Sequence, residues 1–194
     1  RIQCREVPYE NVTEDVFYDI SVEVKESNTL EDSFRKMIEN EPLIGDNKYD
    51  AGPEYGKQDA DMISGYVSFP KVLQIHLRRF NYDPNIGNFV KLNKRYSFPE
   101  VVDLSPYKIN GEDGERLLYQ LFGVLVHWGT IIGGHYYAYI KTTKDGKWYE
   151  FNDMKVTEVT PEIAIDGNFG GPEKQREQGS DNEEQNKNEV DRLY

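Results

Sequence analysis

A histidine that follows two glycines is the residue of this sequence best placed for acid–base chemistry. His135 lies in the stretch GGHYYAYIKTTKDGKWYEFND, which begins at Gly133 and ends in the pair Asn152 and Asp153. A histidine acts as a general base when a second side chain fixes its tautomer and a nucleophile lies within reach. In Cys-His-Asn/Asp enzymes the third residue supplies that orienting contact. The stretch therefore predicts the acid–base half of a catalytic site.

Two strands must bring His135 and Asn152 together, and their register decides whether they meet. A two-residue turn at the Asp-Gly pair would place Asn152 four residues from the partner of His135, about 13 Å away at the rise of a strand. Direct facing requires a wider loop, in which Tyr139 pairs with Trp148. Both registers keep the same side-chain faces. We expect the wider loop, with the His135 ring within hydrogen-bond reach of the Asn152 side chain.

The other histidines and the single cysteine are weaker candidates. His135 itself could be a strand histidine bonded to a neighbouring carbonyl, although the two glycines before it favour the close approach of a backbone or ligand. His127 is either a second site histidine or a structural one, and His76 is interpreted as structural. Cys4 precedes His135 in the order of papain-type enzymes, but its charged surroundings lack the glycines and helix start that stabilise a thiolate. These residues also lack metal-ligand spacing, so a zinc site is not expected.

Composition indicates a globular domain with an ordinary core. The chain has 194 residues, of which 37% are hydrophobic, and it carries a net charge of −12. That charge argues against a nucleic-acid partner and favours a basic peptide or protein partner. No apolar run is long enough to span a membrane, and one cysteine cannot form a disulfide framework, so we expect a reducing compartment. The opening RIQCREVPYE has neither a signal sequence nor an initiator Met, and we expect the chain to begin inside a longer protein.

The elements that must position the candidate residues follow from periodicity and capping. Alternating apolar residues predict a strand over 17–25, and Thr29 with Asp32 resembles a capping box before a helix. We predict a loop over 41–65, a strand over 71–80, a central strand over 117–128, a hairpin over 134–152 and a short helix after Thr160. From Pro172 the composition is acidic and poor in apolar residues. We therefore expect one β-rich domain over 1–171 and a disordered tail over 172–194.

Three motifs resemble the ubiquitin-specific protease family, which are thiol-dependent deubiquitinases of papain-like type. The family's histidine box, Y-x-L-x-[small]-x-x-x-H-x-G followed by G-H-Y, is matched by YQLFGVLVHWGTIIGGHY. The pattern W-x-x-F-[DN]-D-x-x-V is matched by WYEFNDMKV, and LQIHLRRF resembles L-x-L-[KR]-R-F. The segments RIQCREV, YDISVEVK, GDNKYDAG and NFGG resemble the herpesvirus-associated branch of the family. The resemblance implies an α+β, papain-like fold, here mainly its β-rich fingers and palm portion, the C-terminal half of the catalytic domain.

The resemblance also implies roles for individual residues. It makes His135 the catalytic base and Asn152 the residue that orients it, with Asp153 as an acidic neighbour that assists. It implies that the loops 82–91 and 129–134 flank a narrow channel for the C-terminal tail of ubiquitin. The residues expected to bind that tail are Gly133, Gly134, His127 and Tyr136.

Two expected features of the family are missing from this sequence. The cysteine box, an asparagine followed five residues later by cysteine, is not present, so the resemblance places the nucleophile outside this chain. Most members also carry two zinc-binding cysteine pairs in the fingers. Cys4 occupies the first of these four positions, and the others hold Val7, Ala51 and Glu54. We therefore expect no metal and no other cofactor.

The implied function is deubiquitination, the hydrolysis of the isopeptide or peptide bond after the C-terminal glycine of ubiquitin. The expected partners are ubiquitin and ubiquitinated proteins, with no nucleic acid and no membrane, in the cytoplasm and nucleus. An alternative stays open: a non-catalytic ubiquitin-binding module or a degenerate fragment, because His135 and Asn152 would survive a recent loss of the nucleophile. In either case we expect this chain alone to be inactive.

Overall fold

Short strands dominate the structure, a computed structural model that describes residues 1–109 and 116–171. The expected disordered tail over 172–194 lies outside the described residues. The first eight strands are β1 (Ile2–Cys4), β2 (Glu10–Asn11), β3 (Ile20–Glu23), β4 (Glu41–Leu43), β5 (Tyr49–Asp50), β6 (Lys57–Gln58), β7 (Ala60–Met62) and β8 (Ile75–Arg78). The next eight are β9 (Phe80–Asp83), β10 (Asn88–Lys91), β11 (Val101–Asp103), β12 (Leu118–Gln120), β13 (Gly123–Gly129), β14 (Gly134–Lys141), β15 (Trp148–Asn152) and β16 (Lys155–Val159).

Few helices accompany these strands, which confirms the predicted β-rich α+β class. The α-helices are α1 (Leu30–Met37) and α2 (Pro161–Ala164), and 3₁₀ turns occupy Gly45–Asn47, Ser105–Tyr107 and Asp166–Asn168. Within the described ranges, no helix is long and apolar enough to cross a bilayer. Both predicted caps are confirmed: Thr29 Oγ1 accepts from the Asp32 amide at 3.0 Å, and Thr160 caps α2. The strands form two antiparallel four-stranded sheets, in the orders β2-β1-β7-β4 and β13-β14-β15-β16, beside the two-stranded pairs β3-β8, β5-β6, β9-β10 and β11-β12.

The largest core packs helix α1 against the parallel pair β3-β8. The alternation that predicted a strand over 17–25 buries Ile20 and Val22 of β3, and α1 contributes Leu30 and Phe34 to the same cluster. The buried Tyr96 hydroxyl donates to Ser33 Oγ at 2.7 Å, so these two polar groups are paired inside the core.

The segment 41–65 is not the loop that we predicted, because it contains β4 to β7. These strands are two or three residues long, too short to show an alternating pattern in the sequence. Strand β7 is the inner neighbour of β1, and together they bury Cys4 beside Ala51 and Ala60. Val7 packs on this apolar cluster, whereas Glu54 is exposed. These surroundings do not fit a zinc site, and in the part of the chain that the structure describes no group of three metal-ligating side chains occurs.

The hairpin β14-β15 has a register between the two that we considered. Tyr139 pairs with Glu150, and Lys141 pairs with Trp148, so the predicted pairing of Tyr139 with Trp148 is wrong by two residues. The wider loop is confirmed, since the Thr142 amide donates to the Lys147 carbonyl at 3.0 Å and the Asp-Gly pair lies inside this closure. Asp145 organises the loop by accepting from Thr142 Oγ1, and this bond is the largest contribution that lowers the pKa of Asp145 to about 2.

Strand β13 lies at the edge of its sheet, although its apolar sequence predicted a central strand. Leu125 is 74% exposed. It starts an apolar row that continues across the sheet through Ala138, Phe151 and Val156, each pairing with the next. Tyr136 and Ile140 lie on the same face. We call these six residues the bare face, and exposed apolar surface of this extent is typical of a surface that another element covers.

Arg79 ties the segment after the last helix to the middle of the chain. Its guanidinium donates to the carbonyls of Leu92 and Lys94, at 3.0 and 2.8 Å, and to the Phe169 carbonyl at 2.9 Å. Burial lowers the pKa of Arg79. One planar group with several donors in a fixed fork can satisfy three carbonyls from two segments at once. Arg79 thereby holds the NFGG segment against the end of β10.

Replacing Arg79 by methionine is expected to lower the free energy of unfolding by about 2–4 kcal/mol, because three carbonyls lose their shared donor. Urea denaturation followed by circular dichroism measures this loss. The neighbouring Arg78 provides a matched control, since it forms an exposed ion pair with Glu23. Arg78→Met is expected to cost under about 1 kcal/mol. Equal losses of unfolding free energy in the two variants would contradict the role of Arg79 in holding the NFGG segment.

Candidate catalytic site

His135 and Asn152 form a hydrogen bond at the open end of the second sheet. His135 Nε2 lies 2.7 Å from Asn152 Oδ1, which confirms the predicted contact. In the observed register the position opposite Asn152 is that of Tyr137, so His135 reaches Asn152 as a diagonal neighbour on the same face. The two side chains are half-buried, and the imidazole ring stacks at 20° to that of Tyr137. The contact therefore survives a register error of two residues, because the side-chain period is two.

The amide of Asn152 is held in one orientation. Asn152 Nδ2 donates to Glu150 Oε1 at 3.3 Å, which leaves Oδ1 directed at His135. Asn152 ends β15 and pairs with Lys155 across a two-residue turn, whose first residue, Asp153, has a left-handed φ of +51°. Aspartate adopts this conformation more readily than most side chains. The tight turn fixes the end of the strand and, with it, the orienting amide.

This hydrogen bond also determines which ring nitrogen is free. An amide oxygen only accepts, so the proton of the neutral imidazole lies on Nε2. Nδ1 then carries the lone pair, and the side chain of His135 is 40% exposed. The geometry thus presents Nδ1 as an oriented proton acceptor. Such a group can take a proton from a thiol or a water and return it to a leaving amine.

Asp153 lies near the pair without joining it. Its Oδ2 is 3.8 Å from His135 Nε2, beyond hydrogen-bond distance, and its side chain is 77% exposed. Water screens a charge in this position. Asp153 can therefore act on the imidazole only as a distant charge, and its more definite contribution is the turn that carries Asn152.

His127 belongs to a second cluster on the other face of the same strands. It pairs across the ladder with Tyr136, and its ring lies 4.7 Å from that of Tyr136 and 5.4 Å from that of Phe80. Burial, followed by the charge of Lys91, lowers the pKa of His127. Its Nδ1 is buried and has no hydrogen-bond partner among the described residues. His127 and Tyr136 thus lie back to back with His135 and Asn152, which occupy the opposite face.

The two glycines before His135 have different surroundings. A Cβ added at Gly134 would lie 2.3 Å from both His127 Nε2 and the Trp128 carbonyl oxygen, whereas one added at Gly133 would meet nothing within 4 Å. Gly134 therefore permits a close approach of β14 to the His127 ring. The structure assigns this packing role to Gly134 alone and leaves Gly133 free on the outer side of the turn.

Gly134→Ala is expected to lower the free energy of unfolding by about 1–3 kcal/mol, because the methyl group would overlap rigid backbone and ring atoms. Gly133→Ala is the matched control and is expected to change it by less than about 0.5 kcal/mol. Thermal unfolding of the two variants compares them directly. An unfolding curve of Gly134→Ala that matches the wild type would show that His127 moves aside without cost.

Sequence reasoning missed two residues of this region. Glu150 orients the Asn152 amide, and its position two residues before Asn152 could have suggested a shared face. Lys91 donates from Nζ to the carbonyls of His127 and Gly129, at 2.8 and 2.9 Å. Nothing local marks Lys91, because its partners lie 36 and 38 residues further along the chain.

Comparisons with known proteins show what the chain is similar to. A profile described as ubiquitin carboxyl-terminal hydrolase matches residues 1–188. Ubiquitin carboxyl-terminal hydrolase 15 of Schizosaccharomyces pombe is 45% identical over 179 residues, which are 92% of this chain and 16% of the relative. Ubiquitin C-terminal hydrolase 12 of Arabidopsis thaliana is 40% identical over 182 residues, which are 89% of this chain and 16% of that relative. The chain thus spans about a sixth of the length of these relatives.

A solved structure gives the same indication for the fold. The SAGA Ubp8/Sgf11/Sus1/Sgf73 DUB module bound to ubiquitin aldehyde contains a chain that superposes with a TM-score of 0.72 at 29% sequence identity. The match covers 84% of the present chain and 37% of that chain. The β-rich arrangement described above is therefore shared with part of a larger structure.

Proposed function

Because this chain belongs to the ubiquitin carboxyl-terminal hydrolase family, we propose that it supplies the acid–base half of a cysteine-type deubiquitinase. The proposed reaction is hydrolysis of the isopeptide or peptide bond that follows the C-terminal glycine of ubiquitin. The observation that carries the proposal is the hydrogen bond of 2.7 Å between His135 and Asn152, which leaves an oriented ring nitrogen at the open end of the sheet.

The proposed steps need one group that this chain lacks, a nucleophilic thiol on a preceding segment. His135 Nδ1 takes the thiol proton, and the thiolate attacks the carbonyl carbon of the terminal glycine. The imidazolium then gives that proton to the leaving lysine amine as the C–N bond breaks and a thioester forms. Water attacks the thioester with His135 again as base, which releases ubiquitin and restores the thiol. Asn152 holds the ring through both proton transfers.

The placement of this chain as the C-terminal, fingers-and-palm half of the catalytic domain is part of the same proposal. The bare face supports it, since five of its six residues are exposed in the described chain, Leu125 to 74%. Cys4 does not supply the nucleophile, because it is buried in the apolar cluster of the first sheet. The motifs RIQCREV and NFGG support a place in the herpesvirus-associated branch, and we extend the proposal to it.

The proposal also covers the surroundings of the reaction. Gly133, Gly134, His127 and Tyr136 surround the turn that precedes His135 at one end of the second sheet, and we propose that they bind the ubiquitin tail in a cleft between the bare face and the segment that covers it. The partners would be ubiquitin and ubiquitinated proteins, without nucleic acid or membrane. The cytoplasm and nucleus, where a free thiol stays reduced, are the proposed location.

The test is the release of a fluorophore from the C-terminus of ubiquitin by the complete catalytic domain, made by joining this chain to the segment that precedes it in the parent protein. Turnover that requires a cysteine of that segment supports the proposal. A complete domain that binds ubiquitin but releases no fluorophore would contradict it and would favour a ubiquitin-binding module instead.

A further inference from the structure

We infer that Lys91 is a positioning residue for His135, a role that rests on the function proposed above. Lys91 ends β10, and it lies on the far side of β13 from the hairpin that carries the His135–Asn152 pair. Its ammonium group joins two carbonyls at the end of β13, and through them it fixes the turn from which His135 emerges. It touches neither substrate nor the reacting atoms.

The contacts of Lys91 are unlike those of the other lysines near the second sheet. Its Nζ donates to the carbonyls of His127 and Gly129, at 2.8 and 2.9 Å. Lys141 and Lys147, in contrast, form ion pairs with the carboxylates of Glu100 and Glu158. A half-buried ammonium group that binds neutral main-chain carbonyls stabilises a particular backbone conformation, because a charged donor strengthens each bond.

The ladder shows which edge of β13 Lys91 occupies. The Lys141 amide donates to the Phe122 carbonyl at 2.8 Å, so this pair is a hydrogen-bonded one. Hydrogen-bonded and non-bonded pairs alternate along an antiparallel ladder, so the pair Trp128–His135 is also hydrogen-bonded. The carbonyls of residues 127 and 129 then point to the opposite, outer edge. Lys91 Nζ donates to both carbonyls at this edge. Its two hydrogen bonds therefore lie on either side of Trp128, the residue that bonds to the backbone of His135.

The turn over 129–134, which follows these two hydrogen bonds, is tightly packed and leaves little room for its backbone to move. Gly129 has a φ of +118°, and a Cβ on it would lie 2.6 Å from the Cα of Gly134. The Thr130 amide closes the turn on the Gly133 carbonyl at 2.9 Å. Strand β13 has no further strand on its outer edge in the described chain. Lys91 therefore supplies the hydrogen bonds that hold this end of β13 from outside, and any shift of Trp128 is passed to His135 through the ladder.

The test compares Lys91→Met and Lys91→Arg in the complete catalytic domain, with the exposed Lys71→Met as the matched control. Methionine keeps the aliphatic stem and removes the donor, and we expect kcat for ubiquitin–fluorophore cleavage to fall about tenfold to a hundredfold, with a smaller change in KM. Arginine can donate to both carbonyls, and we expect it to restore most of kcat. Lys71→Met is expected to stay within about twofold of the wild type.

A spectroscopic readout separates positioning from a general loss of stability. The ring nitrogen and proton signals of His135 in heteronuclear NMR spectra are expected to move in Lys91→Met and to return in Lys91→Arg. Wild-type kcat together with unmoved His135 signals in Lys91→Met would overturn the inference. If that variant does not fold, Lys91→Gln replaces it with the same criteria, since its neutral amide on a shorter stem cannot bond to both carbonyls at once.

The experiment distinguishes failure of this inference from failure of the proposed function. A wild-type complete domain without any ubiquitin cleavage would refute the deubiquitinase assignment. The His135 ring signals and the amide exchange of residues 128 and 135 would still report on Lys91, since they depend on the folded ladder and not on turnover.

Discussion

His135→Ala in the complete catalytic domain is expected to lower kcat by about 10⁴-fold or more, because the thiol loses its base and the leaving amine loses its acid in one change. Ubiquitin binding is expected to change little, since the ring lies on the face opposite His127 and Tyr136. Steady-state cleavage of a ubiquitin–fluorophore conjugate, together with ubiquitin affinity by titration calorimetry, measures the two quantities separately.

Graded variants test the arrangement of the site as well as its existence. Asn152→Ala removes the acceptor at 2.7 Å and is expected to lower kcat less than His135→Ala, by about 10²–10³-fold, since the base remains but is no longer oriented. Asp153→Asn is expected to cost less than about tenfold, because its carboxylate is exposed and screened by water. His76→Ala is the histidine control, on the exposed side of β8, and is expected to keep wild-type kcat within about twofold. A loss with Asp153→Asn as large as with Asn152→Ala would reverse the assigned roles.

The catalytic pair could be predicted from the sequence because its information is local. His135 and Asn152 lie 17 residues apart on one hairpin. Because side chains alternate with a period of two, any register shifted by an even number of residues keeps them on one face of the sheet. The exact pairing could not be predicted in the same way. Asp145 sets the loop through bonds to Thr142, Lys147 and Tyr149, and a wide, side-chain-organised loop has no simple sequence rule.

The two larger errors have a common physical origin. Strands β4 to β7 have two or three residues each, and each forms only in pairs: β7 pairs with the distant β1 and with β4, and β5 pairs with β6. The apolar sequence of β13 predicted a central strand, but in the described chain no strand pairs with its outer edge and Leu125 is uncovered. The hydrophobicity of a strand predicts that its surface is buried, but it does not predict which element of the tertiary structure buries it. The roles of Lys91 and Arg79 could likewise not be predicted from the sequence, because their hydrogen-bond acceptors are main-chain carbonyls, which every residue has.

The uncovered surfaces lead to a prediction about this chain in isolation. It is expected to be inert as a protease and to remain unlabelled by a ubiquitin probe with a cysteine-reactive C-terminus. Cys4 is its single thiol, and that thiol is 6% exposed in the apolar cluster with Ala51 and Ala60. The bare face is also expected to make the isolated chain prone to association.

Activity is expected to appear when the segment that carries the nucleophile is added, either fused to this chain or as a separate fragment that covers the bare face. The gain from an undetectable rate to turnover is the largest effect predicted for this protein, because a base without a nucleophile contributes almost nothing. Leu125→Asp, at the most exposed residue of the bare face, is expected to weaken the association of separate fragments by about 10²-fold or more, since a buried unpaired carboxylate is costly. A ubiquitin–fluorophore assay on the chain, beside its Cys4→Ala variant, decides the assignment of the thiol. Clear turnover by the isolated chain that disappears in Cys4→Ala would make Cys4 the nucleophile and would refute the proposal of a separate nucleophile-bearing half.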